Sequence, residues 1–304
     1  MKNIKYIIAA IIFIGLSSCD VDNLFTTVRE IDIPEHERKL SINTSLTGDS
    51  MTIFISHSKE IDDESDFSPI DAKVSLREDG NEILSFDYNS ENNLDLIIDK
   101  KLDEAIKQGK EYSLKVDSKK FGTAIASEIA PKNPVIESLN FNKEVFKGEF
   151  GEYCKFSCVI NDEKDVDNYY FISFKLLNLD GRYLEVNSKD PELKRVFIRS
   201  DLSNNYHSES FFLVSDKSFD GNKRKISFEI DKPYYGNNNQ YKYKVVMQVN
   251  SVTKSYYNYV ISRDQALSSN DNPFAEPVAI VDNIENGYGI FSVYAYKKYV
   301  IFEN

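Results

Sequence analysis

Short runs of alternating apolar and polar residues, separated by turn signals, constrain the fold of this chain more than any other feature. Leu40–Leu46 and Met51–Ser56 alternate in this way, and Ala72–Leu76 and Glu82–Phe86 flank the turn Asp79-Gly80-Asn81. A period of two places successive side chains on opposite faces of a strand, so these runs predict half-buried strands joined by hairpins. Strands this short, with turns at this spacing, favour a β-sandwich.

The best domain boundary is Pro131-Lys132-Asn133-Pro134, because each proline removes a backbone donor and favours an extended linker. We therefore predict an N-terminal domain over 36–130 and a C-terminal domain over 135–304. A helix over 253–267 is predicted by residues that recur at three- and four-residue steps, namely Tyr256, Tyr259, Val260, Arg263 and Leu267. The predicted fold is mostly β: two immunoglobulin-like β-sandwich domains with one or two short helices, the second being a turn at 102–106.

The N-terminus has the layout of a secretion signal. Lys2 and Lys5 precede an apolar run that ends at Leu16, and this run is too short for the ~20 residues of a transmembrane helix. Leu16-Ser17-Ser18-Cys19 resembles a lipobox, in which the cysteine is acylated and becomes the first residue after cleavage. We predict a signal peptide over 1–18, lipid attachment to a membrane at Cys19 and a tether over 19–35. The alternative is a short membrane anchor that is never cut.

The charge balance argues against nucleic acid as a partner. Removing Lys2 and Lys5 with the signal segment takes the formal charge from −12 to −14. An acidic chain repels phosphate backbones, and the sequence contains no basic cluster that would offset the repulsion.

Two cysteines remain after the signal. Cys154 and Cys158 fall on one face of a predicted strand, and four residues of strand span roughly 13 Å at about 3.3 Å each. A disulfide requires Cα atoms within about 7 Å. We therefore predict two buried thiols that are not bridged. The alternative, a redox or metal pair, lacks the usual spacing and further ligands.

The sequence offers no recognisable catalytic residues and no cofactor motif. His36, His57 and His207 have no neighbours at the spacing that a metal site or a general base requires. A Gly-x-Ser-x-Gly elbow, a His-Glu-x-x-His helix and a phosphate-binding loop are all missing from the sequence.

An acidic run could suggest calcium, which binds several oxygen ligands. The run contains Asp162, Glu163, Asp165 and Asp167, but it lacks the glycine of a helix-loop-helix calcium loop. We therefore favour a solvated turn and predict no metal site.

One loop has the composition of a partner-binding surface. Its aromatic and amide side chains, which suit stacking and hydrogen bonding to peptides or sugars, belong to Tyr234, Tyr235, Asn237, Asn238 and Asn239. The alternative is a long hairpin loop between the predicted strands 225–230 and 241–249.

Near the C-terminus, Asn283 and Gly287-Tyr288-Gly289 predict a bend. The glycines there would take positive φ or admit another backbone. We expect this bend to close the second sandwich; a partner-facing loop is the alternative.

These motifs together resemble the Bacteroidota lipoprotein family known as domain of unknown function 4249. The resemblance is carried by Asp162–Tyr170, Ser215–Gly221, Asn272–Pro277, Asn283–Phe291 and, in the first half, Gly109–Leu114. It implies an outer-membrane lipoprotein, often encoded beside a TonB-dependent outer-membrane transporter, and supplies no catalytic residues. Asp20 and Asp22 beside Cys19 are similar to the surface-export signal of such lipoproteins, although they would equally suit a flexible tether.

Three functions follow as hypotheses. The first is a non-catalytic binding or docking accessory, anchored in the outer membrane and exposed at the cell surface, whose partner is a TonB-dependent transporter. The second is a structural or adhesive surface protein without a transport role. The third is a secreted hydrolase, which would need catalytic groups that only the fold brings together.

Overall fold

The computed structural model describes residues 36–59, 70–89, 97–148, 151–177, 184–198, 209–231, 244–270 and 275–303. Backbone contacts divide the chain into two units, Met1–Glu37 with Glu60–Asp63 and Arg38–Lys59 with Glu64–Asn304. All of the strands and the helix described below belong to the second unit. In the described residues, no helix is long and apolar enough to cross a membrane.

The N-terminal part of the second unit consists of short strands. They are β1 (Leu40–Thr47), β2 (Ser50–His57), β3 (Asp71–Glu78), β4 (Asn81–Asn89), β5 (Ile97–Lys101), β6 (Glu111–Ser118) and β7 (Gly122–Ile129). Burial alternates along β1 and β2 as the sequence pattern predicts. Asp79 and Gly80, between β3 and β4, both have positive φ, as a tight hairpin turn requires. The predicted hairpins are confirmed.

The C-terminal part continues the pattern and adds one helix in the described ranges. Its elements are β8 (Ile136–Lys147), β9 (Glu152–Asn161), β10 (Tyr169–Leu177), β11 (Val186–Asn187), β12 (Lys194–Ile198), β13 (Glu209–Ser215), β14 (Lys223–Asp231), β15 (Lys244–Val252), α1 (Lys254–Asn270) and β16 (Tyr288–Glu303). A short 3₁₀ turn at Asp216–Ser218 follows β13.

The described residues form three sheets. The largest has the order β12-β13-β10-β15-β16-β1-β2-β5, and the two four-stranded sheets have the orders β11-β14-β9-β8 and β4-β3-β6-β7. The first buried core contains Ile42, Val74, Leu114 and Phe291, and the second contains Phe156, Ile172, Phe228 and Met247. Each core therefore lies between the large sheet and one small sheet, so the predicted mostly-β sandwich fold is confirmed.

Strand β16 joins the two sandwiches. Its first part, Tyr288–Val293, pairs in parallel with Ser41–Leu46 of β1, and its later part pairs antiparallel with β15. Ile284, Phe291 and Val293 accordingly belong to the first core. The boundary at 131–134 separates the two cores along the chain, except that the tail of the predicted 135–304 domain returns to the first core. The Asn283–Gly289 bend therefore closes the first sandwich rather than the second.

The helical prediction at 102–106 is wrong. The N–H of Leu102 donates to the carbonyl of Asp49 (2.7 Å), and the N–H of Ile106 donates to the carbonyl of Gly48 (2.6 Å). The β1–β2 turn therefore takes up the N–H of Ile106, which a helical turn would have paired with the carbonyl of Leu102.

Helix α1 extends the predicted 253–267 segment by three residues at its C-terminal end. The Thr253 hydroxyl accepts a long hydrogen bond from the N–H of Tyr256 (3.4 Å), as expected of a cap residue. Val260 packs with Phe171, Phe211 and other residues in a third apolar cluster on the outer face of the large sheet.

A tyrosine fixes the loop between β5 and β6. Tyr112 is fully buried, and its hydroxyl accepts from the N–H of Lys107 (2.8 Å) and donates to Glu78 (2.6 Å). Such a bond back to the upstream backbone is the defining feature of a tyrosine corner. Burial, together with the bond to Glu78, raises the pKa of Tyr112 to about 12.

Candidate functional site

Two of the predicted sites lie outside the described residues. These are the lipid-attachment residue Cys19 and the aromatic loop with Tyr234, Tyr235, Asn237, Asn238 and Asn239. Both remain predictions from the sequence, and so does His207, which lies in the undescribed 199–208 segment.

His57 is a packed core residue at the end of β2. Its ring is buried and stacks on Phe121 with centroids 4.8 Å apart, and Nδ1 lies 2.8 Å from the carbonyl of Ser58. The stacking holds the ring inside the first core, away from any cleft described below.

The two cysteines are not bridged, as predicted, but the predicted burial is wrong for Cys154 and holds only for Cys158. Cys154 and Cys158 both lie on β9 and form no disulfide. They pair across the sheet with Ile230 and Ile226 of β14, so this segment is an extended strand. Cys158 is buried and burial raises its pKa to about 12, whereas Cys154 is only half-buried.

Three aspartates from two distant segments meet beside the second core. Asp162 follows β9, Asp216 follows β13, and Asp220 comes four residues later; one carboxylate oxygen of each lies within 4.8 Å of the others. Asp162 and Asp216 are buried, whereas Asp220 is exposed. We call these three residues the aspartate clasp.

The two buried carboxylates of the clasp accept hydrogen bonds from the protein itself. The Tyr170 hydroxyl (2.7 Å) and the Gly221 N–H (3.0 Å) donate to Asp162, and the Asn168 N–H donates to Asp216 (2.6 Å). Burial raises the pKa of Asp216, and the neighbouring carboxylates raise it further. These hydrogen bonds connect the 162–168 turn to the 216–222 turn. This structural role is enough to explain why aspartates occupy these positions.

The acidic run itself is mostly a turn, as the sequence favoured. Asp165 takes φ +62° and donates its N–H to Asp220 (2.8 Å), while Glu163 pairs with Lys132 (2.6 Å). Asp167 contributes no ligand atom to the clasp. Sequence reasoning missed Asp216 and Asp220 because they lie more than fifty residues away along the chain.

A cleft lies where the linker at 131–134 meets the acidic turn and the start of α1. Its volume is about 630 Å³, and it is lined by the end of β7, by Pro131 and Lys132, by Val166 and Asp167, and by residues 251–254. We call it the linker cleft. Apolar groups are exposed at its surface, with Ile129 62% and Val166 43% exposed.

The wall formed by β7 has an open backbone edge. On that edge, the N–H and carbonyl of Ile125 exchange hydrogen bonds with Glu285 (3.2 and 2.8 Å), so these groups point away from β6. Because the direction of backbone groups repeats every two residues along a strand, those of Ser127 and Ile129 point the same way. They have no backbone partner within the described ranges.

A polar contact holds this edge in place against α1 and the tail. The carboxylate of Glu128 accepts from the Ser255 hydroxyl and from the side-chain amide of Asn283 (2.7 Å). The same Asn283 side chain exchanges two bonds of 2.9 Å with the backbone of Phe291. One asparagine thus connects β7 to β16.

Gly289 allows the close approach that this connection requires. It has φ +105°, and a Cβ atom there would lie 2.1 Å from the carbonyl oxygen of Ile42. At Gly287, a Cβ would lie 2.8 Å from the carbonyl oxygen of Leu40. The prediction of positive φ or close backbone approach is confirmed.

The fold defines a β-sandwich protein whose C-terminal tail is held in place by Asn283. Comparison with known protein families assigns the chain to one of them. The model of the family described as "Domain of unknown function (DUF4249)" matches residues 26–299. The chain therefore belongs to this family. No curated protein matches the sequence.

Among solved structures, the chain is similar to the M60 catalytic domain with the CBM51-1 and CBM51-2 domains from Clostridium perfringens ZmpB. The identity is 10%, the TM-score is 0.17, and the likeness covers 74% of this chain and 38% of that one. The chain thus matches less than half of that structure's length, and so low a TM-score supports no argument.

Proposed function

We propose that this protein is a non-catalytic docking accessory, held at the outer membrane by lipid on Cys19 and exposed at the cell surface. We further propose that its partner is a TonB-dependent outer-membrane transporter. The signal and lipobox pattern support the anchor, and the family resemblance supports the partner. A lipid anchor confines the protein to one membrane, which raises the effective concentration of a weakly bound partner there.

The observation that carries the docking proposal is the open edge of β7 along the linker cleft. Ser127 and Ile129 offer two N–H donors and two carbonyl acceptors in the direction of the Ile125–Glu285 bridge. An extended segment of a partner can add to such an edge, where backbone bonds supply affinity and side-chain pockets supply specificity. Natural proteins usually protect exposed edges, so one that the described residues leave open beside a cleft favours a binding role.

The charges around the linker cleft indicate what kind of segment would bind. Four acidic and two basic side chains line it: Glu111, Glu128, Glu163, Asp167, Lys132 and Lys254. Lys132 is already paired with Glu163, which leaves an excess of negative charge. An extended segment with one apolar side chain beside Ile129 and a flanking Lys or Arg would suit this surface.

The structural or adhesive hypothesis has its own support, because β16 runs through both sandwiches. A strand that pairs with β1 and with β15 makes the two halves one continuous sheet. Such a body suits a spacer at the cell surface. If no transporter is crosslinked at Ile129 and deletion of the protein leaves uptake unchanged, this hypothesis becomes the preferred one.

A proline at Ser127 tests the docking edge directly. Ser127→Pro removes the outward N–H, which β6 does not use, so the fold should survive on an edge strand. Ser127→Ala keeps that N–H and is the matched control. We expect a photo-crosslinker at Ile129 to recover the transporter in cells, and Ser127→Pro to abolish the crosslink while Ser127→Ala retains it.

Two further controls separate the edge from the anchor. A crosslinker at Ile83, which is 38% exposed on the opposite edge strand β4, should recover no transporter. Cys19→Ser should leave an uncleaved, unlipidated precursor, measured by acyl labelling. If no transporter is recovered at Ile129 and deleting the protein leaves uptake unchanged, the docking proposal fails.

A further inference from the structure

A second pocket lies on the outer face of the large sheet, where α1 stops covering it. Its volume is about 210 Å³. Because side chains alternate along strands, β10 and β15 present residues of the same face here, and β13, β16 and α1 complete the lining. We call it the sheet pocket; its lining includes Phe171, Ser173, Lys175, Phe211, Gln248 and Tyr256.

Aromatic rings form most of the walls. Phe171 stacks on Phe211 with centroids 4.6 Å apart and meets Tyr256 edge-on at 6.1 Å. Burial raises the pKa of Tyr256 and of Tyr294, and the Tyr294 hydroxyl already has a hydrogen bond with Ser45. Aromatic rings of this kind can pack against the C–H-rich face of a sugar ring, and the Tyr256 phenol can bind one of its hydroxyl groups.

The floor of the sheet pocket carries a hydroxyl group that bonds to none of the described residues. Ser173 is only 4% exposed, and no hydrogen bond to its hydroxyl exists within the described residues. Its neighbour Asn250 is also buried, and it bonds to the Phe171 carbonyl (2.9 Å) and to Gln248 (2.7 Å). This hydroxyl is not among the fully buried, unpartnered polar atoms of the described residues, so it faces the open space of the pocket, where a ligand or water can bind it.

A lysine stands at the rim. Lys175 is exposed, lines the pocket and makes no ion pair with any described residue. Some other exposed lysines pair with carboxylates, including Lys132, Lys189 and Lys223. An unpaired cation beside an aromatic pocket suits a ligand that brings its own carboxylate.

From these groups we propose that the sheet pocket binds one sugar ring that carries a carboxylate, that is, a uronic acid unit. The aromatic walls would contact the ring face, the Ser173 hydroxyl and the Gln248 amide would bind ring hydroxyls, and Lys175 would bind the carboxylate. A volume of about 210 Å³ is below the usual ~300–1,000 Å³ of a drug-sized pocket, so the site accommodates one ring rather than a chain. The site does not depend on the docking edge of β7.

D-galacturonic acid and D-galactose make a matched pair of probes, because they differ only in the carboxylate. We expect NMR titration of the folded protein to show galacturonic acid binding more tightly than galactose. Lys175→Gln should weaken the acid by up to roughly fivefold, as for an exposed ion pair, and leave galactose unchanged. Lys217→Gln, an exposed lysine on the turn after β13, is the control and should change neither.

Ser173→Ala tests the floor of the pocket. It should weaken both sugars by roughly fivefold, the usual effect of losing one hydrogen bond. Its urea midpoint should not fall, because the change removes a hydroxyl that makes no hydrogen bond to any described residue. A purely structural role for Ser173 would lower the midpoint instead.

A trimer of galacturonic acid tests whether the pocket binds one sugar ring or several. Equal binding of the monomer and the trimer, both sensitive to Lys175→Gln, supports a one-ring site. The proposal is overturned if galacturonic acid does not bind, if it binds no better than galactose, or if both variants leave its affinity unchanged.

Discussion

The tyrosine corner gives the sharpest stability prediction, because one hydroxyl of a fully buried tyrosine makes two hydrogen bonds. Tyr112→Phe removes the acceptor of the Lys107 N–H (2.8 Å) and the donor to Glu78 (2.6 Å) without changing the ring. A neutral hydrogen bond contributes ~1 kcal/mol, and one to a charged group contributes roughly 1.5–3 kcal/mol.

The expected loss is smaller than the sum of these two hydrogen-bond contributions, because Glu78 has a second donor. Its carboxylate also contacts Nζ of Lys107 at 3.1 Å, and its side chain is 18% exposed to water. Solvent screening and this second contact replace part of the lost bond. We therefore expect Tyr112→Phe to lower the free energy of unfolding by about 2 kcal/mol.

Urea denaturation followed by tyrosine fluorescence and circular dichroism measures this loss. Tyr88→Phe is the matched control: its hydroxyl is also buried, but its two contacts with Ile55 are longer, at 3.2 and 3.3 Å. Tyr88→Phe should cost about 1 kcal/mol or less. Equal losses in the two variants, or a loss below ~0.5 kcal/mol in Tyr112→Phe, would refute the reasoning.

The pH dependence gives an independent check. The hydrogen bond from Tyr112, followed by the Lys107 contacts, holds the pKa of Glu78 below its ordinary value of 4.5. A carboxylate with a lowered folded pKa stabilises the fold above its unfolded pKa, and this stabilisation disappears as the pH falls through the folded pKa. The difference between wild type and Tyr112→Phe should therefore narrow on acidification below 4.5.

Three further outcomes are expected. Gly289→Ala should cost at least ~3 kcal/mol in urea denaturation, because its Cβ would lie 2.1 Å from the Ile42 carbonyl; a loss below ~1 kcal/mol would contradict the parallel β1–β16 pairing. Wild type should lose stability as the pH rises through the raised folded pKa of Asp216. Asp216→Asn should reduce this loss, as melting temperatures measured across the pH range would detect. In the native protein, iodoacetamide should alkylate Cys154 faster than Cys158, read by peptide mass; equal rates would contradict the burial of Cys158.

Local patterns were enough to predict most of the strands, the hairpin turns and the helix over 253–267, but they wrongly predicted a helical turn at 102–106. The alternation in Leu40–Leu46 specifies a buried face because a strand has a period of two, and Asp79-Gly80 specifies a turn because both residues tolerate positive φ. The same periodicity separated Cys154 from Cys158 by too great a distance for a disulfide. Each of these inferences needs only residues that lie close together along the chain.

The tertiary structure decided which distant segments share a sheet or a site. Nothing in Tyr288–Val293 indicates that it pairs in parallel with β1, because a strand pattern specifies its faces and not its neighbours. Asp162 and Asp216, the open groups of Ser127 and Ile129, and the unpartnered hydroxyl of Ser173 are likewise visible only after the chain has folded. Their roles depend on distances across the fold, and sequence spacing does not encode those distances.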